Sequence, residues 1–290
     1  MAVFSAKIPG LSAKVAAAIL LASVPVRPAS ADYISSGLGA AGGWSVLGVG
    51  STGNLTMSGA SVVGDIGVSS GNFTLTGSTI NGSTDLGTGV TFTRTGGSLG
   101  GINRGVDLSA AVGAATNASS AFSALPITPG GPTSIVMTGG NTTLDPGVYD
   151  LSQLRLTGGS LTLSGSGEYI INVSGPMTVT GGQMVLTNGA SAADVVFNVT
   201  GTQAVQISGG VLDGTILAPN ASITMTSGSV GGEIIGGKNI TLTSGQVVGA
   251  PRGAPGPVIG AGLPAFVLLG GGFLLAWRLR RRPLTASASL

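Results

Sequence analysis

One short phrase recurs along the chain: apolar, threonine, apolar, threonine or serine, then glycine or serine-glycine. It reads Leu55-Thr56-Met57-Ser58, Phe73-Thr74-Leu75-Thr76 and Phe92-Thr93-Arg94-Thr95, with looser copies at 135–138, 154–157 and 205–208. It returns as Leu161-Thr162-Leu163-Ser164, Met177-Thr178-Val179-Thr180, Ile223-Thr224-Met225-Thr226 and Ile240-Thr241-Leu242-Thr243. Alternation with period two predicts strands with one face buried and one exposed, and the following glycine predicts a turn. Successive phrases end 16 to 19 residues apart (Ser58, Thr76, Thr95; Thr138, Thr157; Ser164, Thr180; Ser208, Thr226, Thr243). A repeat just under twenty residues, too short to bury its own apolar row, predicts one coil of a β-solenoid per repeat. Stacking would align Leu55 with Phe73 and Phe92, and Ile223 with Ile240, while Arg94 in an inward slot marks an end or a distortion. Regularly spaced short strands also admit a β-sandwich, but recurrence of the same phrase in the same phase favours the solenoid.

One stretch breaks the pattern. Residues 107–124 are alanine-rich, and Leu108, Val112, Ala115, Ala118 and Phe122 recur at helical spacing behind Asp107, a capping residue. This predicts a helix lying alongside the solenoid, ended by Leu125-Pro126 and a proline-glycine loop. The fold class is therefore mainly β, a β-solenoid over residues 32–250 with one alanine-rich helix at about 107–124.

The two ends read as sorting segments. Residues 1–31 form a secretory signal: Lys7 and Lys14, the apolar run 15–26, then Ala29-Ser30-Ala31 at the cleavage position. Residues 251–257 read as a linker. Residues 258–277 are apolar and long enough for a transmembrane helix, and 278–290 open with Arg278, Arg280, Arg281 and Arg282, a basic cytoplasmic tail. The expectation is an exported protein at the cell envelope or surface, held to the membrane by its C-terminal helix at least initially.

Composition sharpens the picture. The net charge of +2 comes from the ends, since residues 32–256 carry five basic residues against ten acids, a balance of −5. This speaks against a nucleic-acid partner, which needs a basic patch. Cysteine and histidine are both absent, which removes the thiol nucleophile, the commonest general base and the usual transition-metal ligands. The acids are scattered singly and follow no metal-ligand series, and Asp145 and Asp150 around Pro146-Gly147 read as turn residues. No catalytic residue, metal site or cofactor is expected, and the chain reads as not an enzyme. The asparagines of Asn-x-Ser/Thr triplets, Asn172 and Asn198 among them, are as many as composition alone would give.

Candidate binding residues are the outward threonines Thr74, Thr76, Thr178, Thr180, Thr224, Thr226, Thr241 and Thr243. On stacked strands they would form a grid about 7 Å by 4.8 Å, able to order water or lie along a polysaccharide.

Residues 194–246, with GTILAPNA at 214–221, resemble the C-terminal half of choice-of-anchor A domains, and 38–47 with GDIGV at 64–68 is similar to the same family. Leu144-Asp145-Pro146-Gly147-Val148-Tyr149 resembles a phrase of the related ice-binding-like domains. The tail resembles a PEP-CTERM sorting signal, though Ala254-Pro255-Gly256-Pro257 lacks the glutamate. The resemblance implies a β-helix with a packed helix, a Gram-negative bacterial source and an exosortase partner. Two functions follow as expectations: adhesion to extracellular polysaccharide or matrix, and, as the alternative, ice binding through the outward threonines.

Overall fold

The computed structural model describes residues 33–51 and 53–249. The expected leader at 1–31, the linker and transmembrane helix at 251–277 and the basic tail lie outside the described residues. Among the described residues no helix is long and apolar enough to cross a membrane.

The strands wind into nine stacked coils with three faces. The first face is a nine-stranded sheet. The second and third are joined into a 16-stranded sheet through the bent strands Thr79–Leu86 and Ser98–Arg104. Every coil-to-coil pairing is parallel, which excludes the sandwich.

The coils do not stack in chain order. From one end they run 135–151 (coil 1), 154–173 (coil 2), 177–199 (coil 3), 205–218 (coil 4) and 223–236 (coil 5). Coil 6 is composite: 240–248 supplies its first two faces, and Val46–Gly48, from the start of the chain, supplies its third. Coils 7, 8 and 9 then follow as 55–68, 72–86 and 91–104. A seam between the first and last parts of the solenoid therefore runs through the middle of the stack. Leu55 pairs with Ile240 across it, and Ser61 with Gln246. The seam demands glycine: a Cβ on Gly50 would lie 1.9 Å from the Gly237 carbonyl oxygen of the other block.

Inside, equivalent side chains form ladders. One runs Ile135, Leu154, Met177, Val205, Ile223, Ile240, Leu55, Phe73, Phe92; its neighbour runs Met137, Leu156, Val179, Ile207, Met225, Leu242, Met57, Leu75, Arg94. Leu75, Leu163, Met225 and Leu242 are fully buried. Removing these rows from water is the main stabilising term of a domain without disulfides. Arg94 lies on the terminal strand, as its misfit in the repeat implied, and turns back to donate from Nε to the Gly96 carbonyl at 3.1 Å. Arg104, also on coil 9, sits 5.7 Å over the Phe92 ring. Two guanidinium groups thus cover the last rung.

A second hydrophobic layer lies outside the third face. The helix α1 (Tyr33–Leu38) and the helix α2 (Ser109–Ser123) pack there, with Ile34, Leu38, Trp44, Ala111, Ala115, Ala118 and Phe122 against Ile170, Val196, Leu217, Ile235 and Leu47. The alanine-rich composition follows, since small side chains let the helix backbone approach the sheet. The N-cap position of α2 is Leu108; Asp107, one residue before it, accepts from the Ser109 N–H at 2.9 Å, and that bond lowers its carboxyl pKa. Val112 is only partly buried and Ala111 takes its place on the inner face.

Two expectations need correction. Leu161-Thr162-Leu163-Ser164 belongs to the second face, in the strand Ser160–Ser164, so the 16-residue step from it to Thr180 compared two different faces. The true first-face steps there are longer: Arg155 pairs with Thr178 and Thr178 with Gln206. Asp150 is no turn residue. It lies within Gly147–Leu151 and accepts from Asn172 Nδ2 at 2.8 Å. Asn172 and Asn198 are buried under α2, in keeping with the chance reading of their triplets.

Candidate functional site

All eight candidate threonines project from the nine-stranded first face. The reason is local: the apolar member of each phrase belongs to an inward ladder, so the residue between must point out. Thr178 and Thr180 lie on coil 3, Thr224 and Thr226 on coil 5, Thr241 and Thr243 on coil 6, Thr74 and Thr76 on coil 8.

Register joins them into two columns. The first reads Val136, Arg155, Thr178, Gln206, Thr224, Thr241, Thr56, Thr74, Thr93. The second, from coil 2 onward, reads Thr157, Thr180, Ser208, Thr226, Thr243, Ser58, Thr76, Thr95. Thr56, Ser58, Thr93 and Thr95 complete the array although they were not among the candidates. Their phrase was visible in the sequence, but not that coil 7 pairs with coil 6. Strand geometry spaces hydroxyls about 7 Å along each strand and about 4.8 Å between coils.

The columns differ in exposure. Thr56, Thr74, Thr178, Thr224 and Thr241 of the first column are half-buried, packed among their neighbours, whereas Arg155, Gln206 and Val136 stand exposed. Along one margin of this face asparagine side chains lock the coils. Asn239 Oδ1 accepts from the Asn54 N–H at 3.1 Å, and Asn54 Oδ1 from the Asn72 N–H at 3.0 Å.

Away from this face, polar groups are committed to structure. Asn198 Nδ2 donates to the Ser119 carbonyl (2.9 Å) and to Asn172 Oδ1 (2.8 Å), and Asn172 Nδ2 donates to the Phe122 carbonyl at 3.2 Å. These amides tie the last turn of α2 to the strands of the third face beneath it. Glu168 Oε1 accepts from the Ile34 N–H at 3.0 Å, and Glu233 Oε1 from the Gly43 N–H, so two glutamates hold the N-terminal segment. Burial raises the Glu233 pKa from 4.5 to about 7, the Gly43 bond opposing it, and its Oε2 has no partner. Among the described residues no group of three acidic side chains is placed to hold a metal ion. An open groove of about 440 Å³ beside the end of α2 is lined by Ser123, Asp150, Ser152, Asn172, Ser174 and Thr200, and its Asp150 already accepts from Asn172.

Solved structures of similar fold are ice-binding proteins. That of the Antarctic ascomycete Antarctomyces psychrotrophicus is 24% identical, with 74% of this chain and 98% of that chain covered at a TM-score of 0.54. A domain of ice-binding protein 1 from Shewanella frigidimarina is 22% identical, with 74% and 97% covered at 0.52. An ice-binding protein from an Antarctic Flavobacteriaceae bacterium is 19% identical, with 75% and 49% covered at 0.56. At these identities the likeness is one of fold. No curated protein matches the chain. The family model described as Ice-binding-like matches residues 48–248, from the strand that completes coil 6 to the last strand of the same coil. The chain belongs to the Ice-binding-like family.

Proposed function

We propose that the protein binds ice through its first face, without catalysis. The observation that supports this most directly is the gathering of all eight candidate threonines onto one sheet in parallel register. A methyl and a hydroxyl at each point, held by a packed interior, present an ordered array of hydrogen-bonding and apolar groups. Ordered water can bridge such groups at little further cost, and the array is built before it meets a ligand, which reduces the entropy lost on binding. Family membership supports the same reading, and so do the solved neighbours, which are ice-binding proteins. The adhesion reading, with an extracellular polysaccharide or matrix ligand, calls on the same face but has no comparable support.

Replacing Thr224 and Thr241 together by tyrosine should lower thermal hysteresis at least about tenfold, because bulk lifts the face off a crystal plane. Thr162→Tyr, on the second face, should leave it unchanged. Equal loss in both variants would contradict the assignment.

The choice-of-anchor A and PEP-CTERM resemblances lead us to propose further that the domain acts outside the cell, exported by residues 1–31 and held by 258–277, with an exosortase as processing partner. Deleting 258–290 should move the protein from the membrane to the soluble fraction; a protein that pellets regardless has another anchor.

A further inference from the structure

The two columns of the first face are not uniform along the stack. From coil 5 to coil 9 every outward position on both columns is a hydroxyl: Thr224 and Thr226, Thr241 and Thr243, Thr56 and Ser58, Thr74 and Thr76, Thr93 and Thr95. From coil 1 to coil 4 the first column is broken three times, by Val136, Arg155 and Gln206, and Thr178 stands alone between the last two. A guanidinium or a primary amide reaches several ångströms beyond a threonine methyl, so a crystal plane resting on the threonines would meet Gln206 and Arg155 first. Both side chains are exposed, whereas four of the five first-column threonines in the unbroken run are half-buried.

Sequence spacing is regular through the run and breaks only around coil 3, since the coil 1–2 and 4–5 steps keep 19 and 18 positions, Val136 to Arg155 and Gln206 to Thr224. First-face partners within the run lie 17 to 19 positions apart inside each block, as in Thr224 with Thr241 and Thr74 with Thr93. The coil 2–3 and 3–4 steps are 23 and 28 positions, Arg155 to Thr178 and Thr178 to Gln206. The asparagine ladder Asn239–Asn54–Asn72 borders coils 6 to 8 and no others, fixing coil spacing within the run. That ladder crosses the seam, and so does the lattice: Thr241 to Thr56 joins the last first-face strand of the solenoid in sequence to the first.

We infer that the ice-contacting surface is the five-coil hydroxyl lattice of coils 5 to 9, assembled across the seam where the first and last parts of the solenoid meet, and that Gln206 and Arg155 set its limit. Thr178 and Thr180 lie outside it. This rests on the ice-binding reading above and adds to it a boundary, a set of residues and a dependence on docking of the two blocks.

The test compares four variants of the full chain by thermal hysteresis, with circular dichroism to confirm the fold: Thr241→Tyr on one side of the seam, Thr56→Tyr on the other, Thr178→Tyr outside the lattice, and Gln206→Thr at its limit. Thr241→Tyr and Thr56→Tyr should each lose at least about five-fold. Thr178→Tyr should keep most of the wild-type value, and Gln206→Thr should match or exceed it. Equal losses at Thr178, Thr241 and Thr56 would overturn the boundary and leave the face assignment standing. Loss at Thr241 with none at Thr56 would overturn assembly across the seam. Hysteresis unchanged in all three tyrosine variants would remove the face assignment itself, and the boundary with it.

Discussion

Glu233 shows how one side chain can tie the N-terminal segment to the coils at an energetic cost. Its carboxyl is almost fully enclosed, one oxygen accepts from Gly43, the other has no partner, and burial raises its pKa from 4.5 to about 7. Native Glu233 therefore holds its proton more tightly than the unfolded chain does. Its contribution to stability is complete below pH 4.5, falls as the unfolded chain ionises, and is lost by about pH 7. The shift corresponds to about 3 kcal/mol. Glu233→Gln keeps an oxygen for Gly43 and cannot ionise. Urea unfolding should find it more stable than the parent above pH 7, with the slope between pH 4.5 and 7 flattened. An unchanged slope would mean that the carboxyl is solvated. Nothing in the sequence marked this residue, because a single glutamate before Ile234-Ile235 looks like any corner acid until the Gly43 segment is folded over it.

Elements were legible where burial alternates, and obscure where pairing partners are far apart in sequence. The phrase around Leu75 or Met225 states its own inward and outward sides, since apolar and hydroxyl residues alternate with the pleat. The helix was legible too, from Asp107 and the spacing of Ala115, Ala118 and Phe122. Leu161–Ser164 was assigned to the wrong face because its alternation is the same on either sheet, and only the corners decide which sheet a strand joins. Asp150 was misjudged for a related reason. A polar residue inside a strand reads as exposed unless the element lying over it is known, here the end of α2. That element supplies a prediction: Asn198→Ala leaves the Ser119 carbonyl and Asn172 Oδ1 without their donor. The cost should be about 1–3 kcal/mol, with hydrogen exchange accelerated in α2 before the coils. Exchange unchanged in α2 would show that apolar packing alone holds it.

At the scale of the domain, the seam is the feature that local sequence conceals most completely. Coils 7 to 9 precede coils 1 to 5 in the chain yet stack beyond them, and Val46–Gly48 fills the place that the C-terminal strand leaves open. No repeat spacing reveals this, since a coil is equally regular at the end of a stack or in its middle. The close approach of Gly50 to Gly237 does not mark it either, since ordinary coils meet in the same way, Gly237 on the Pro219 carbonyl and Gly87 on the Ser69 carbonyl. Joining the two blocks makes one continuous hydroxyl face from phrases separated by more than a hundred residues. Arg94 and Arg104 meanwhile close the last rung with charge, a device that discourages a further copy from stacking on an open strand edge. The central claim is that this face adsorbs to ice, and the most direct measurement is fluorescence at the surface of a single ice crystal grown in the labelled full-length protein. Label should concentrate in the ice for the parent and be excluded for the Thr224→Tyr, Thr241→Tyr variant. A parent protein swept ahead of the growing crystal, like any inert solute, would contradict it.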